Sequence, residues 1–119
     1  MNIAFVSPEF ITEKNFDGGL ANYLAKISET LIHRGHKVTI FVPAQIQETI
    51  KYKDMIVVRV CVKSHIKNFL IKIFLRISFL NELACKIQFY WDSWLIKKAI
   101  LSTVKKQRID IIQYSNYGL

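Results

Sequence analysis

The hydrophobic positions of the first forty residues change period twice. "NIAFV", residues 2 to 6, is almost wholly apolar, the pattern of a parallel strand covered on both faces. A polar stretch containing a proline follows, "SPEFITEKNFD", and predicts a loop of about eleven residues, longer than the ~2 to 6 usual between strand and helix. From there Leu20, Tyr23, Leu24, Ile27 and Leu31 fall at helical spacing, and Gly35 is placed to stop the helix in a left-handed cap. "KVTIFVP" then reads as a second strand, rich in β-branched residues. Strand, helix and strand joined this closely predict a right-handed βαβ unit.

Residues 44 to 55 read as a polar connection and "MIVVRVCV" as a third strand. The segment 63 to 82 is densely apolar, but Lys67, Lys72 and Arg76 interrupt it, so it lacks the ~20 uninterrupted apolar residues of a membrane span. Its simplest reading is a helix with Ile66, Phe69, Leu70, Ile73, Phe74 and Ile77 on the core face. Residues 83 to 107 predict a longer helix, with Leu83, Ile87, Tyr90, Trp94 and Leu101 as its repeating core positions. "IDIIQY" supplies a fourth strand. The expected fold class is α/β, a Rossmann-like three-layer sandwich with a parallel sheet and helices on both faces. No internal repeat or low-complexity tract is present.

Composition supports a packed fold: 51% of the 119 residues are hydrophobic and 22% charged, without the polar bias of disordered chains. The net charge of +8 changes the picture more, because it is unevenly spread. Residues 1 to 62 hold seven basic and six acidic side chains, whereas 63 to 108 hold ten and two. Such a block can attract phosphates or acidic lipid headgroups. Cys61 and Cys85 have neither metal-ligand spacing nor disulfide-scaffold density, so both are expected to be buried free thiols. The opening "MNIAFV" lacks the marks of a signal peptide, and the expected location is the cytoplasm, peripheral at the inner face of the membrane if the basic block binds lipid.

Candidate chemistry starts at "NFDGGLANYL", where two glycines stand before an otherwise good helix. A loop that follows a parallel strand and opens a helix brings unpaired N–H groups and the positive end of the helix dipole to one point. Anions bind at such points, and glycine lets a phosphate or sugar approach the backbone. The helix loses about 1 kcal/mol per glycine relative to alanine. The dinucleotide fingerprint needs three glycines at fixed spacing, and a P-loop needs Gly-Lys-Ser/Thr; neither is present.

"MNIAFVSPEF" followed by "GGLANYLAKISETLIHRGHKVTIFVP" resembles the start of a family 4 glycosyltransferase of the GT-B type, the group that includes bacterial glycogen synthases and many lipid and polysaccharide glycosyltransferases. "IDIIQYSNYGL" is similar to that family's fourth-strand pattern. The likeness is strong over residues 1 to 43, fair over 109 to 119 and weak between. It implies that residues 1 to 119 form part of the N-terminal, acceptor-side domain, with the nucleotide-sugar-binding domain absent from this sequence. The parent would be a hexosyltransferase acting from a nucleotide-sugar donor onto a polysaccharide, lipid-linked or cell-envelope acceptor, and the chain alone would be inactive. The resemblance implies substrate binding by Gly18, Gly19 and Leu20. Relatives often carry histidine at the end of the fourth strand, where this chain has Gln113, with Ser115 and Asn116 following. These can hydrogen-bond a sugar hydroxyl but cannot act as a base near neutral pH. No catalytic residue can be transferred to this sequence, and no cofactor or metal is implied.

Among other polar residues, Asp17 is expected to cap the helix, Glu9 and Glu13 are loop carboxylates within reach of a substrate, and His33 and His36 flank the helix end beside Gly35, where a cationic ring suits the dipole. His65 lies in the basic block. A sharper reading of residues 63 to 82 is contact with an anionic membrane surface. Nucleic acid is not an expected partner, because Phe89, Tyr90, Trp91 and Trp94 fall at helix spacing as core residues would. The competing reading for the whole chain is a non-catalytic α/β module that binds an anion or a partner through the glycine loop.

Overall fold

A computed structural model describes residues 1–14, 18–62 and 78–115. The elements run β1 (Asn2–Val6), α1 (Gly19–His33), β2 (Lys37–Ala44), β3 (Glu48–Tyr52), β4 (Met55–Cys61), α2 (Ser78–Lys106) and β5 (Ile111–Tyr114). The five strands form one sheet in the order β3-β4-β2-β1-β5. The pairs β1·β2, β1·β5 and β2·β4 are parallel, and β3·β4 is antiparallel. The chain is therefore an α/β protein with a mixed sheet.

The antiparallel strand corrects two expectations, the polar connection at 44 to 55 and the all-parallel sheet. Residues 48 to 52 alternate, with Ile50 and Tyr52 packing against the core while Thr49 and Lys51 face out, the period of a half-buried strand. Tyr52 pairs with Met55 across a two-residue turn in which Lys53 and Asp54 both have positive φ, 43° and 66°. Two positive φ values in a row match the right-handed twist of a hairpin. Lys-Asp is a poor composition for such a turn, which is why the sequence does not announce it.

Strands β1, β2 and β4 bury both faces. On one, Ile3 and Phe5 of β1, Val38, Ile40 and Val42 of β2, and Met55 and Val57 of β4 meet Leu24 and Ala25 of α1. Ala4, Phe41, Val58 and Val60 point the other way and meet Ile100 of α2, with Leu95, Ile96 and Ala99 alongside. Period-two alternation in three neighbouring strands thus presents two apolar surfaces, and each meets one of the described helices.

Helix α1 ends as its sequence predicts. Gly35 adopts φ 82°, its N–H bonds to the carbonyl of Ile32 at 2.9 Å, and the His36 N–H bonds to that of Leu31 at 3.0 Å, a Schellman closure that satisfies the last carbonyls. Its N-cap is Gly18, not Asp17; Asp17 lies outside the described residues. Tyr23, expected on the core face, is exposed, while Ala21 and Ser28 are buried.

Helix α2 departs furthest from expectation. Leu83, Ile87, Tyr90, Trp94 and Leu101, read as its core positions, are all exposed, as are Phe89 and Trp91. The face that meets the sheet carries Leu95, Ile96, Ala99 and Ile100. Both stripes repeat at helical spacing, so periodicity alone could not choose between them. Cys85 is likewise exposed and Cys61 half-buried, both free, so neither is the buried thiol expected. Among the described residues no helix is long and apolar enough to cross a membrane. The core face proposed for 66 to 77, and His65, lie outside the described residues.

Candidate functional site

The site is built on the loop between β1 and α1. Lys37 at the start of β2 donates its N–H to the Met1 carbonyl at 2.9 Å, and the amino terminus lies 3.3 Å from His36 Nδ1. The end of α1 is thereby fixed at the N-terminal edge of the strands. Fifteen residues of helix rise about 22 Å, so α1 begins at the opposite edge, where β1 and β2 terminate. In open α/β sheets ligands bind beyond this carboxyl edge. The strand neighbours diverge here too: β2 lies on one side of β1 and β5 on the other.

Residues 7 to 14 are held firmly. Buried Ser7 extends the sheet ladder by donating its N–H to the Phe41 carbonyl at 3.0 Å, and its hydroxyl donates to the Glu9 carbonyl at 2.7 Å. Phe10 inserts fully into the core, edge-on to Tyr52 with ring centroids 6.2 Å apart. Arg59, near the carboxyl end of β4, holds the far half. Its Nε donates to Glu13 Oε1 at 2.8 Å, its Nη2 to the Thr12 carbonyl at 2.9 Å and its Nη1 to Glu48 Oε2 at 2.7 Å. The hydrogen bond from Arg59 to Glu13, then that to Glu48, holds the guanidinium above its ordinary pKa. Glu13 is therefore engaged in positioning the loop. The sequence offered no sign of this, because Arg59 and Glu13 stand 46 residues apart and meet only through the sheet.

The loop delivers the chain to Gly18, whose backbone at φ 85° and ψ −45° is one that side-chain-bearing residues rarely adopt. This glycine is required by conformation. Gly19 is the first helical residue and is exposed; a Cβ built on it meets none of the described residues within 4 Å. Among the described residues no local packing excludes a side chain at position 19. The next residue, Leu20, packs against the α1-side core and fixes the start of the helix. No acidic residue occupies the first turn of α1, and among the described residues no side chain caps it.

On the other side of β1, Ser115 continues β5 by donating its N–H to the Val6 carbonyl at 3.0 Å. Its hydroxyl is buried without a hydrogen-bond partner. Gly18, Gly19, Leu20 and Ser115 thus share one edge of the sheet, flanking the end of β1; Asn116 lies outside the described residues. Gln113 sits within β5, opposite Phe5. His33 is exposed in the last turn of α1, and His36 follows Gly35 at the opposite edge, far from this corner.

Asp110 anchors the start of β5 and was legible only as part of a strand pattern. Its carboxylate accepts the Asn2 N–H at 2.8 Å, while its own N–H donates to the Asn2 carbonyl at 2.8 Å. The Asn2 hydrogen bond, followed by the nearby Arg108 cation, holds this carboxyl below its ordinary value. Among the described residues no three His, Cys, Asp or Glu side chains converge as a metal site. Compared with known proteins, the chain matches no family model, no curated protein and no solved structure.

Proposed function

We propose that this chain is the acceptor-side, N-terminal part of a GT-B glycosyltransferase that moves a hexose from a nucleotide-sugar to an acceptor hydroxyl. The observation that carries the reading is the opening of α1. A glycine with a positive φ starts the helix at the carboxyl edge of the parallel strands, and a second, exposed glycine opens its first turn. The first-turn N–H groups and the dipole would meet the developing charge of the departing diphosphate, stabilising it without a metal ion. The buried hydroxyl of Ser115 would offer a hydrogen bond to a sugar hydroxyl.

The sheet supports this reading in its order. Strands β4-β2-β1-β5 follow the sequence of one half of a doubly wound, Rossmann-like sheet, and an antiparallel edge strand such as β3 is common on such sheets. Parallel strands are normally covered on both faces, yet Ile111, Ile112 and Tyr114 of β5 are exposed. A further covering layer beside β5, as a complete acceptor-side domain would supply, fits that exposure.

The test is an amide-resolved NMR titration with inorganic diphosphate and with a nucleoside diphosphate hexose. Shifts concentrated at Gly18, Gly19, Leu20 and Ser115 are expected. Unmoved amides there at millimolar ligand would rule the proposal out. The non-catalytic alternative shares these shifts but predicts no sugar transfer by any longer form of the protein.

A further inference from the structure

The outer face of α2 is the largest feature that the sugar-transfer reading does not use. Leu83, Ile87, Tyr90, Trp94 and Leu101 form a line along the side turned away from the sheet and are between 46% and 73% exposed. At 100° per residue they stay within about 35° of one another's mean direction, and from 83 to 101 the line runs roughly 27 Å. Trp91 lies beside it, with its ring centroid 5.4 Å from that of Trp94. Isolated exposed apolar residues are ordinary, but a continuous line of this length marks an interaction surface.

Charge identifies the occupant. On the same helical projection Lys97 and Lys98 stand about 50° to either side of the line, Lys105 about 30° and Lys86 about 70° away. Of the carboxylates of this helix, Asp92 is nearly opposite the line and Glu82 is about 110° away, where it pairs with Lys86 at 3.0 Å, so that Lys97, Lys98 and Lys105 form the basic border. Lys98 Nζ sits 5.5 Å from the Trp94 ring centroid, so the cation borders the apolar strip directly. Two copies of this face would bring lysine against lysine, which disfavours self-association. The surface is convex, with the apolar strip as its ridge and the ammonium groups along its flanks. That arrangement suits a layer whose interior is apolar and whose surface is anionic: rings and aliphatic chains enter the acyl boundary while lysine stems reach back to the headgroups.

We propose that α2 docks this chain onto an anionic lipid bilayer, with Tyr90, Trp94 and Leu101 entering the headgroup layer and Lys97, Lys98 and Lys105 pairing with lipid phosphates. The inference rests on this surface alone and survives or fails independently of the sugar-transfer reading.

The protein carries its own probe, because its two tryptophans, Trp91 and Trp94, both lie at this face. The experiment follows tryptophan emission and co-sedimentation of the full chain with vesicles of phosphatidylcholine alone and with phosphatidylglycerol added. A shift to shorter wavelength, quenching by brominated acyl chains and sedimentation are expected with the anionic vesicles and should weaken as salt rises. The double variant Lys97→Ala/Lys98→Ala should partition roughly 30-fold more weakly, from the attraction that two basic side chains lose near an anionic leaflet. Tyr90→Ser/Leu101→Ser should also weaken binding while leaving the circular dichroism of the fold unchanged. The proposal is overturned if wild-type emission and sedimentation ignore anionic vesicles. It is equally overturned by a blue shift that follows protein concentration without lipid, the mark of a dimer, or by undiminished binding in the lysine variant.

Discussion

Gly18 and Gly19 stand next to each other but are glycines for different physical reasons, and alanine at each separates them. At position 18 the backbone holds φ 85° and ψ −45°, and among the described residues a Cβ there would meet only Asn22 Nδ2 at an ordinary 3.7 Å. The obstacle is conformational strain, so Gly18→Ala should destabilise by about 1 to 3 kcal/mol. At position 19 the backbone is helical and a Cβ meets none of the described residues. Gly19→Ala should therefore stabilise by about 0.4 to 1 kcal/mol through reduced freedom of the unfolded chain, raising Tm by roughly 2 to 6 °C. On the proposed function, a glycine that lowers stability without meeting a packing need among the described residues is explained by access, a methyl at 19 standing where a phosphate or sugar would approach. Gly19→Ala should then weaken binding of a nucleoside diphosphate hexose at least tenfold, or ~1.4 kcal/mol, while the fold gains. Urea denaturation supplies the first number and calorimetric titration the second. If Gly19→Ala is more stable and binds as well as wild type, close approach is not the reason for that glycine. If Gly18→Ala loses no stability, the strain argument fails as well.

Other residues give equally direct tests. Arg59→Met removes all three donors that hold Thr12, Glu13 and Glu48; because the pair is partly exposed, about 1 to 2 kcal/mol is expected, with faster hydrogen exchange over residues 7 to 14, and unchanged exchange would show that Phe10 alone anchors the loop. Ser28→Ala removes a buried hydroxyl that has no partner and should stabilise by ~1 kcal/mol in thermal denaturation, whereas a loss would reveal a bond to solvent. Asp110→Asn addresses pH. The folded carboxyl is held below its ordinary value near 3.8, so its contribution is fully present above that value and disappears as pH falls through the lower folded one. The stability gap between wild type and variant should therefore be constant from about pH 5 to 7 and close below about pH 4, and a gap unchanged at pH 2 would exclude the Asn2 hydrogen bond as its source.

How far the fold could be read in advance follows from what each element asks of its residues. Strands β1, β2 and β4 are runs of apolar and β-branched residues with both faces buried, a need that shows in sequence without reference to partners. The α1 cap was equally visible because Gly35 meets a local backbone requirement. The β3–β4 hairpin was hidden by chemistry. Its turn sets Lys53 and Asp54 at positive φ, positions where Asn-Gly is the usual signal, and the strand itself is only half apolar. Of the candidate site, the glycine pair declared itself locally. The clamps that hold it, Arg59 on Glu13 and Asp110 on Asn2, join residues 46 and 108 apart, and no local pattern encodes such a meeting.

Helix α2 shows why a strong pattern can point to the wrong face. Two apolar lines run along it, and the more aromatic one, through Tyr90 and Trp94, is the line left in solvent. The sheet takes the other because its surface over α2 is lined by Ala4, Phe41, Val58 and Val60, and Ala99 allows the helix to approach while Leu95, Ile96 and Ile100 fill around it. Had the aromatic line faced inward, Lys97 and Lys98, about 50° to either side of it, would have been carried toward the sheet. Burial of unpaired ammonium groups costs several kcal/mol each, more than the ~1.5 to 3 kcal/mol gained by burying one large apolar side chain. The lysines therefore weigh against burying the aromatic line, and the same two lysines, left outside beside Trp94, are the groups proposed above to pair with an anionic surface.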